Sequence, residues 1–156
     1  MRFPFSFSFE RELTNAITPE NEQRVLEYIE TRITKRKANT IVIEDSSVIF
    51  KGSTGGRGSL FIMVDQGVFS LVCMSGTWNL VYQINMKSLF IETGILSAVI
   101  EACSLLNRVP WWIGIVPFLW LCGANWAITL IRQGSFATEI ATEIDDIICE
   151  KAAVED

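Results

Sequence analysis

The chain contains no histidine, and that absence removes a large block of chemistry. Ser-His-Asp and Cys-His nucleophiles, histidine metal ligands and a histidine pH switch are all excluded. Charge is scarce as well. Asp, Glu, Lys and Arg make up 20% of 156 residues, below the rough quarter usual for a soluble domain. Cysteine is present but unpatterned. Cys73, Cys103, Cys122 and Cys149 form no CxxC pair, so neither a zinc site nor a disulfide framework has a spacing behind it. Four incidental thiols in a reducing compartment are expected. The N-terminus has no unbroken apolar run and no small-residue cleavage site, so it does not read as a signal peptide.

What the chain has in excess is apolar surface. Hydrophobic residues reach 49% and the mean hydropathy is +0.31. Four tryptophans, Trp111, Trp112, Trp120 and Trp126, fall within sixteen residues. The net charge of −5 is also uneven. Residues 1–87 carry ten basic and nine acidic side chains, whereas residues 133–156 hold seven acids against Lys151. The acidity belongs to the tail, and no basic surface suited to nucleic acid is evident.

The opening "MRFPFSFSFERE" alternates Phe3, Phe5, Phe7 and Phe9 with smaller or polar residues, the period of a strand with one buried face. A helix follows over "TPENEQRVLEYIETRITKRK". Thr18 suits the N-cap, Pro19 the first helical position, and Glu20 and Glu22 the positive end of the dipole. Val25, Leu26, Ile29 and Ile33 form its apolar stripe, and Lys35, Arg36 and Lys37 close it. That basic cluster serves the helix dipole and solubility first, with contact to anionic lipid as the second reading.

From residue 40 the pattern is one of strands. "TIVIE" and "SVIFK" flank "DSS" as a hairpin, "SLFIMVD" and "GVFSLVCM" meet around Gln66-Gly67 as a second, and "WNLVYQI" ends the series. The loop "GSTGGRGS" lacks Gly-Lys-Ser/Thr and precedes a strand, so it reads as a connection and not as a phosphate cradle. Arg57 is its one residue of chemical interest.

Two apolar runs come next. Residues 88–106 and 109–131 would make helices of ~28 Å and ~34 Å, against a hydrocarbon core of ~30 Å. The second run carries no charge, and Trp111, Trp112 and Trp126 sit near its ends like interfacial anchors. The first holds Glu92 and Glu101, each costing on the order of 3 kcal/mol if placed at the bilayer centre. Glu101 and Arg108 lie two helical turns apart and share a face at the far rim. Folding the pair antiparallel about Val109 sets Glu92 level with Trp126 and beside Asn125, where a hydrogen bond would satisfy groups that lipid cannot. Pro117 is expected to kink the second helix. Lys87 and Arg132 bracket the hairpin on the domain side, which places both termini in the cytoplasm. A soluble globule of this size could hardly bury two adjacent all-apolar helices.

The tail repeats A-T-E-I at 137–140 and 141–144, and Phe136, Ile140, Ile144, Ile147 and Ile148 form a stripe at helical spacing. Docking on the chain's own domain is the first expectation, with self-association or capture of a protein partner behind it.

The expected protein is therefore α+β. Residues 1–87 form a small cytoplasmic domain of about six strands and one helix. Residues 88–132 form a two-helix transmembrane hairpin, and residues 133–156 an acidic amphipathic helix. The expected setting is a bacterial inner membrane, with the bilayer and further copies of the chain as partners. No catalytic constellation, cofactor, metal or nucleic acid is expected. The expected function is non-enzymatic binding or regulation at the membrane. The alternative is a pore-forming or ion-conducting hairpin that acts as an oligomer, with Glu92 or Glu101 lining the path.

Overall fold

The computed structural model describes residues 5–53, 60–107, 110 and 112–155. Phe3, Arg57 with most of the glycine-rich loop, Arg108 and Trp111 lie outside the described residues. The protein is α+β, with one five-stranded antiparallel sheet in the order β1-β5-β4-β3-β2. The strands are β1 (Ser6–Glu12), β2 (Asn39–Glu44), β3 (Ser47–Lys51), β4 (Gln66–Met74) and β5 (Thr77–Asn85). The first helix, α1 (Pro19–Lys35), connects β1 to β2; α2 (Lys87–Leu106) leaves the end of β5. A third, long helix consists of α3 (Trp112–Phe118), a π-helical segment (Leu119–Ala124) and α4 (Asn125–Glu155) without a non-helical residue between them.

Both α1 and the C-terminal part of α4 pack on one face of the sheet. The former lies over β2 and β3, the latter over β1 and β5. The expected α1 stripe is buried in full at Val25, Leu26, Ile29 and Ile33. The tail stripe is buried at Phe136, Ile140 and Ile144, with Ala137 and Ala141 letting the helix sit close. The tail thus docks on its own domain, which leaves its polar side and not its apolar stripe for any partner. Gly134 fits it against β1: a Cβ there would stand 3.1 Å from the Phe9 ring. Aromatic rings fill the centre. Phe69 and Tyr82 stack at 4.0 Å, and Phe50 and Phe61 meet at 4.5 Å. The Phe50 ring lies over Gly67, its register partner, where a Cβ would come within 2.2 Å of Phe50 Cζ. Only glycine leaves room for that ring.

Five strands form where about six were expected, and the difference is instructive. "SLFIMVD" makes a turn over 60–63 in place of a strand. Its apolar residues do not alternate against a neighbouring strand. Phe61 and Val64 plug the end of the core instead, with Phe61 edge-on to Phe136 at 5.7 Å. The second hairpin is displaced accordingly. Gln66 opens β4, and the tight turn falls at Ser75-Gly76, whose φ values of 54° and 88° suit the right-handed twist of the flanking strands. The first hairpin turns at Asp45-Ser46 between β2 and β3, as the "DSS" signal predicts.

The expected pair of membrane-crossing helices is also revised. One helix, α2, is long and apolar enough to cross a membrane by length and composition. The second apolar run has no helix of its own. It is the front of the long helix, widened into a π turn two residues after Pro117 and continuing directly into the acidic tail. Proline lacks the N–H that an α-turn requires there, and π turns are one way a helix absorbs such a break.

Candidate functional site

The distinctive surface is formed by α2 and the front of the long helix, which pack against each other through α3 and the π segment. In a water-soluble helix apolar side chains turn inwards and polar ones outwards. Here the order is reversed. Along α2, Ile91, Ile95, Leu96, Val99, Leu105 and Leu106 are exposed, while Ser97 and Ser104 are buried. Along the long helix, Leu119, Trp120, Ile128 and Ile131 are exposed, while Cys122, Thr129 and Gln133 are buried. Trp120 and Ile131 are 72% and 70% exposed. Only 17% of the apolar window of α2 is covered by the rest of the chain, so it is not a core helix.

Gln133 marks the point where this arrangement ends. Its side chain is fully buried, accepts a hydrogen bond from the Tyr82 hydroxyl at 2.7 Å, and donates to the Leu60 carbonyl at 2.9 Å. Burial among the core rings pushes the Tyr82 hydroxyl well above its ordinary pKa, keeping it a donor. One glutamine thereby joins the long helix to the central strand β5 and to the Leu60–Met63 turn. The sequence offers only a faint sign of it: one uncharged polar residue between Arg132 and Gly134.

The predicted polar pairs are distributed differently from the expectation. Glu92 lines a recess of about 700 Å³ at the base of α2, with Asn39, Lys51, Ser53, Asp65 and Ser88. Asn125 lines a smaller recess of about 190 Å³ with Leu60, Thr129 and Arg132. Ile62 borders both. The Leu60–Val64 segment therefore stands between the two helix bases and keeps Glu92 and Asn125 on opposite sides of it. Trp126 packs partly buried against the domain core. Glu101 is half-buried on α2, and Trp112, Lys87 and Arg132 are exposed at the ends of the apolar surface. Arg108 and Trp111, the other members of the expected rim, lie outside the described residues.

A second polar arrangement sits between α1 and the tail. Arg32 pairs with Glu139 and, at 3.0 Å, with Glu143; Arg36 reaches Glu139 at 3.3 Å; the Tyr28 hydroxyl donates to Glu143. Burial, and then the adjacent Glu143, raise the Tyr28 pKa above its ordinary value of 10.0. Further along, Asp145 accepts the backbone N–H groups of Thr14 and Asn15 at 3.1 and 3.0 Å. Much of the tail's acidity is thus spent on clasping its own domain. Arg36, read from sequence as part of a basic run, is a member of this clasp.

Among the described residues no cluster of three or more His, Cys, Asp or Glu is placed to hold a metal. The four cysteines are free thiols, with Cys122 buried. Comparison with known proteins finds no matching family model, no matching curated protein and no matching solved structure.

Proposed function

We propose that the chain is a non-enzymatic, membrane-anchored binding or regulatory protein of a bacterial inner membrane, with the sheet domain in the cytoplasm. In this reading α2 and the front of the long helix cross the bilayer as a hairpin. One observation carries it: two packed helices with apolar side chains outside and polar ones inside. Burial of apolar surface gains roughly 25 cal/mol per Å², and in water this outer surface would forgo that gain over both helices. In lipid the same surface is solvated, and the polar groups find partners or cover between the helices. Lys87 and Arg132, exposed at the base, favour the domain side as the cytoplasmic one. The test is fractionation of the expressed full-length chain. The chain should remain with membranes through carbonate washing and leave them only with detergent. A chain that is released by carbonate and runs as a monomer in buffer would remove the reading.

A second reading has its own support. The inward stripe of Ser97, Ser104 and Thr129, with the half-buried Glu101 beside it, is the kind of lining that an ion or proton path uses once several hairpins assemble. Reconstituted in liposomes, a conducting protein would pass ions, and Glu101→Gln would alter the flux. Liposomes that stay tight at every protein density would set this reading aside.

A further inference from the structure

We infer that the recess at the base of α2 holds the headgroup of an aminophospholipid, a lipid with a phosphodiester and a primary ammonium. The inference rests on the proposed membrane reading, because that reading sets the height of the recess. On α2, Leu89 is still buried in the domain core, and exposed apolar side chains begin at Ile91. The first turns of this helix therefore stand at the headgroup layer. Ser88 and Glu92 line the recess from those turns.

Its chemistry is mixed in a way that suits a zwitterion. Lys51 supplies a cation, Glu92 and Asp65 supply carboxylates, and Ser53 and Ser88 supply hydroxyls. Asp65 accepts the Ser88 N–H through Oδ2 at 2.9 Å. Its Oδ1, the Glu92 carboxylate and the Lys51 ammonium have no partner among the described residues. Three unspent charges of both signs on one recess would be costly to leave unmatched at the low dielectric of a membrane surface. A primary ammonium can donate to both carboxylates, while the phosphodiester accepts from Lys51 and a serine hydroxyl. Ile62 and Val64 give the same recess an apolar side for the start of an acyl chain. Its volume of about 700 Å³ falls within the range of ligand sites, roughly 300–1,000 Å³. An anionic headgroup would set a phosphate near two carboxylates, and a quaternary ammonium has no N–H to give them.

Native mass spectrometry of the detergent-purified full-length chain tests this. Phosphatidylethanolamine, phosphatidylcholine and phosphatidylglycerol of matched acyl chains are offered in turn. Phosphatidylethanolamine should be retained over the other two. Glu92→Gln should weaken that retention by roughly tenfold, the loss of one charged hydrogen bond, and Lys51→Met should weaken it as well. Glu44→Gln, at the distal hairpin, should leave it unchanged. Equal retention of all three lipids, a preference for phosphatidylglycerol, or an equal effect of Glu44→Gln overturns the site. Competition by soluble glycerophosphoethanolamine at the lipid's own affinity overturns the lipid as its source. A chain that needs no detergent overturns the membrane reading instead, so the two failures are distinguishable.

Discussion

The long helix from Trp112 to Glu155 passes through two environments, and its two halves obey opposite rules. Beyond Gln133 the apolar residues Phe136, Ile140 and Ile144 face the sheet and Glu139 and Glu143 face α1. Before Gln133 the apolar residues Ile128 and Ile131 face outwards and Thr129 faces in. The backbone is helical in both halves. Hydrophobicity therefore does not say which way a side chain turns; the medium on the other side does.

The sharpest way to break the comparison is to remove one methylated side chain from each half. Ile140→Ala should destabilise the domain by about 2–5 kcal/mol, the usual loss for a buried aliphatic group. Ile131→Ala should change the same measurement by less than about 0.5 kcal/mol. Denaturant unfolding of the detergent-solubilised chain, followed by near-UV circular dichroism, compares them; equal losses would mean that both halves are core. On the outward face of α2, Val99→Lys should cost about 3 kcal/mol of membrane insertion and shift the chain out of the carbonate-resistant fraction. In a soluble protein the same exposed position would accept lysine without loss.

At the junction, Gln133→Leu leaves the Tyr82 hydroxyl and the Leu60 carbonyl buried without their partner, and should cost about 1–3 kcal/mol. Adding Tyr82→Phe should recover part of that, because the orphaned donor is then gone as well. Additive losses in the double variant would deny the coupling. A smaller effect is expected from Tyr28. Its pKa is raised in the folded state, so its contribution is present below the ordinary value of 10.0 and is lost as pH rises through the folded value. Unfolding midpoints of the wild type should therefore fall between about pH 9 and about pH 11 more than those of Tyr28→Phe; parallel curves would count against it. The smallest effect belongs to Arg36→Ala. Its pair with Glu139 is solvent-exposed on both sides and is expected to contribute less than about 1 kcal/mol, diminishing with added salt. A loss that is insensitive to salt would point to packing over Phe136, whose ring lies 5.8 Å from the guanidinium.

Local patterns in the sequence were legible where one residue type could satisfy only one geometry. Thr18 and Pro19 announce the start of α1, Val25 to Ile33 its buried face, and Asp45-Ser46 a hairpin. Alternation failed at "SLFIMVD", because a short apolar run fits a strand and a core plug equally well, and only Phe50 and Phe136 on either side of Phe61 decide between them. The Gln66-Gly67 signal misled for a related reason. Gly67 is there to make room for the Phe50 ring, not to turn the chain. Gln133 carried almost no signal, since its role exists only once Tyr82 and Leu60 are brought beside it. The Glu92–Asn125 pairing assumed two helices in contact along their whole length, and the Leu60–Val64 segment occupies the space between their bases.

Residue order alone determined which segments are apolar, where the helices and most strands begin, and that histidine chemistry is closed to this chain. These follow from composition and short-range periodicity, which are properties of a few consecutive residues. Tertiary structure decided which face of each helix is inside, that the second apolar run and the acidic tail are one helix, and which charges converge on the recess below α2. Those outcomes depend on residues dozens of positions apart competing for the same space, and no local pattern contains that competition.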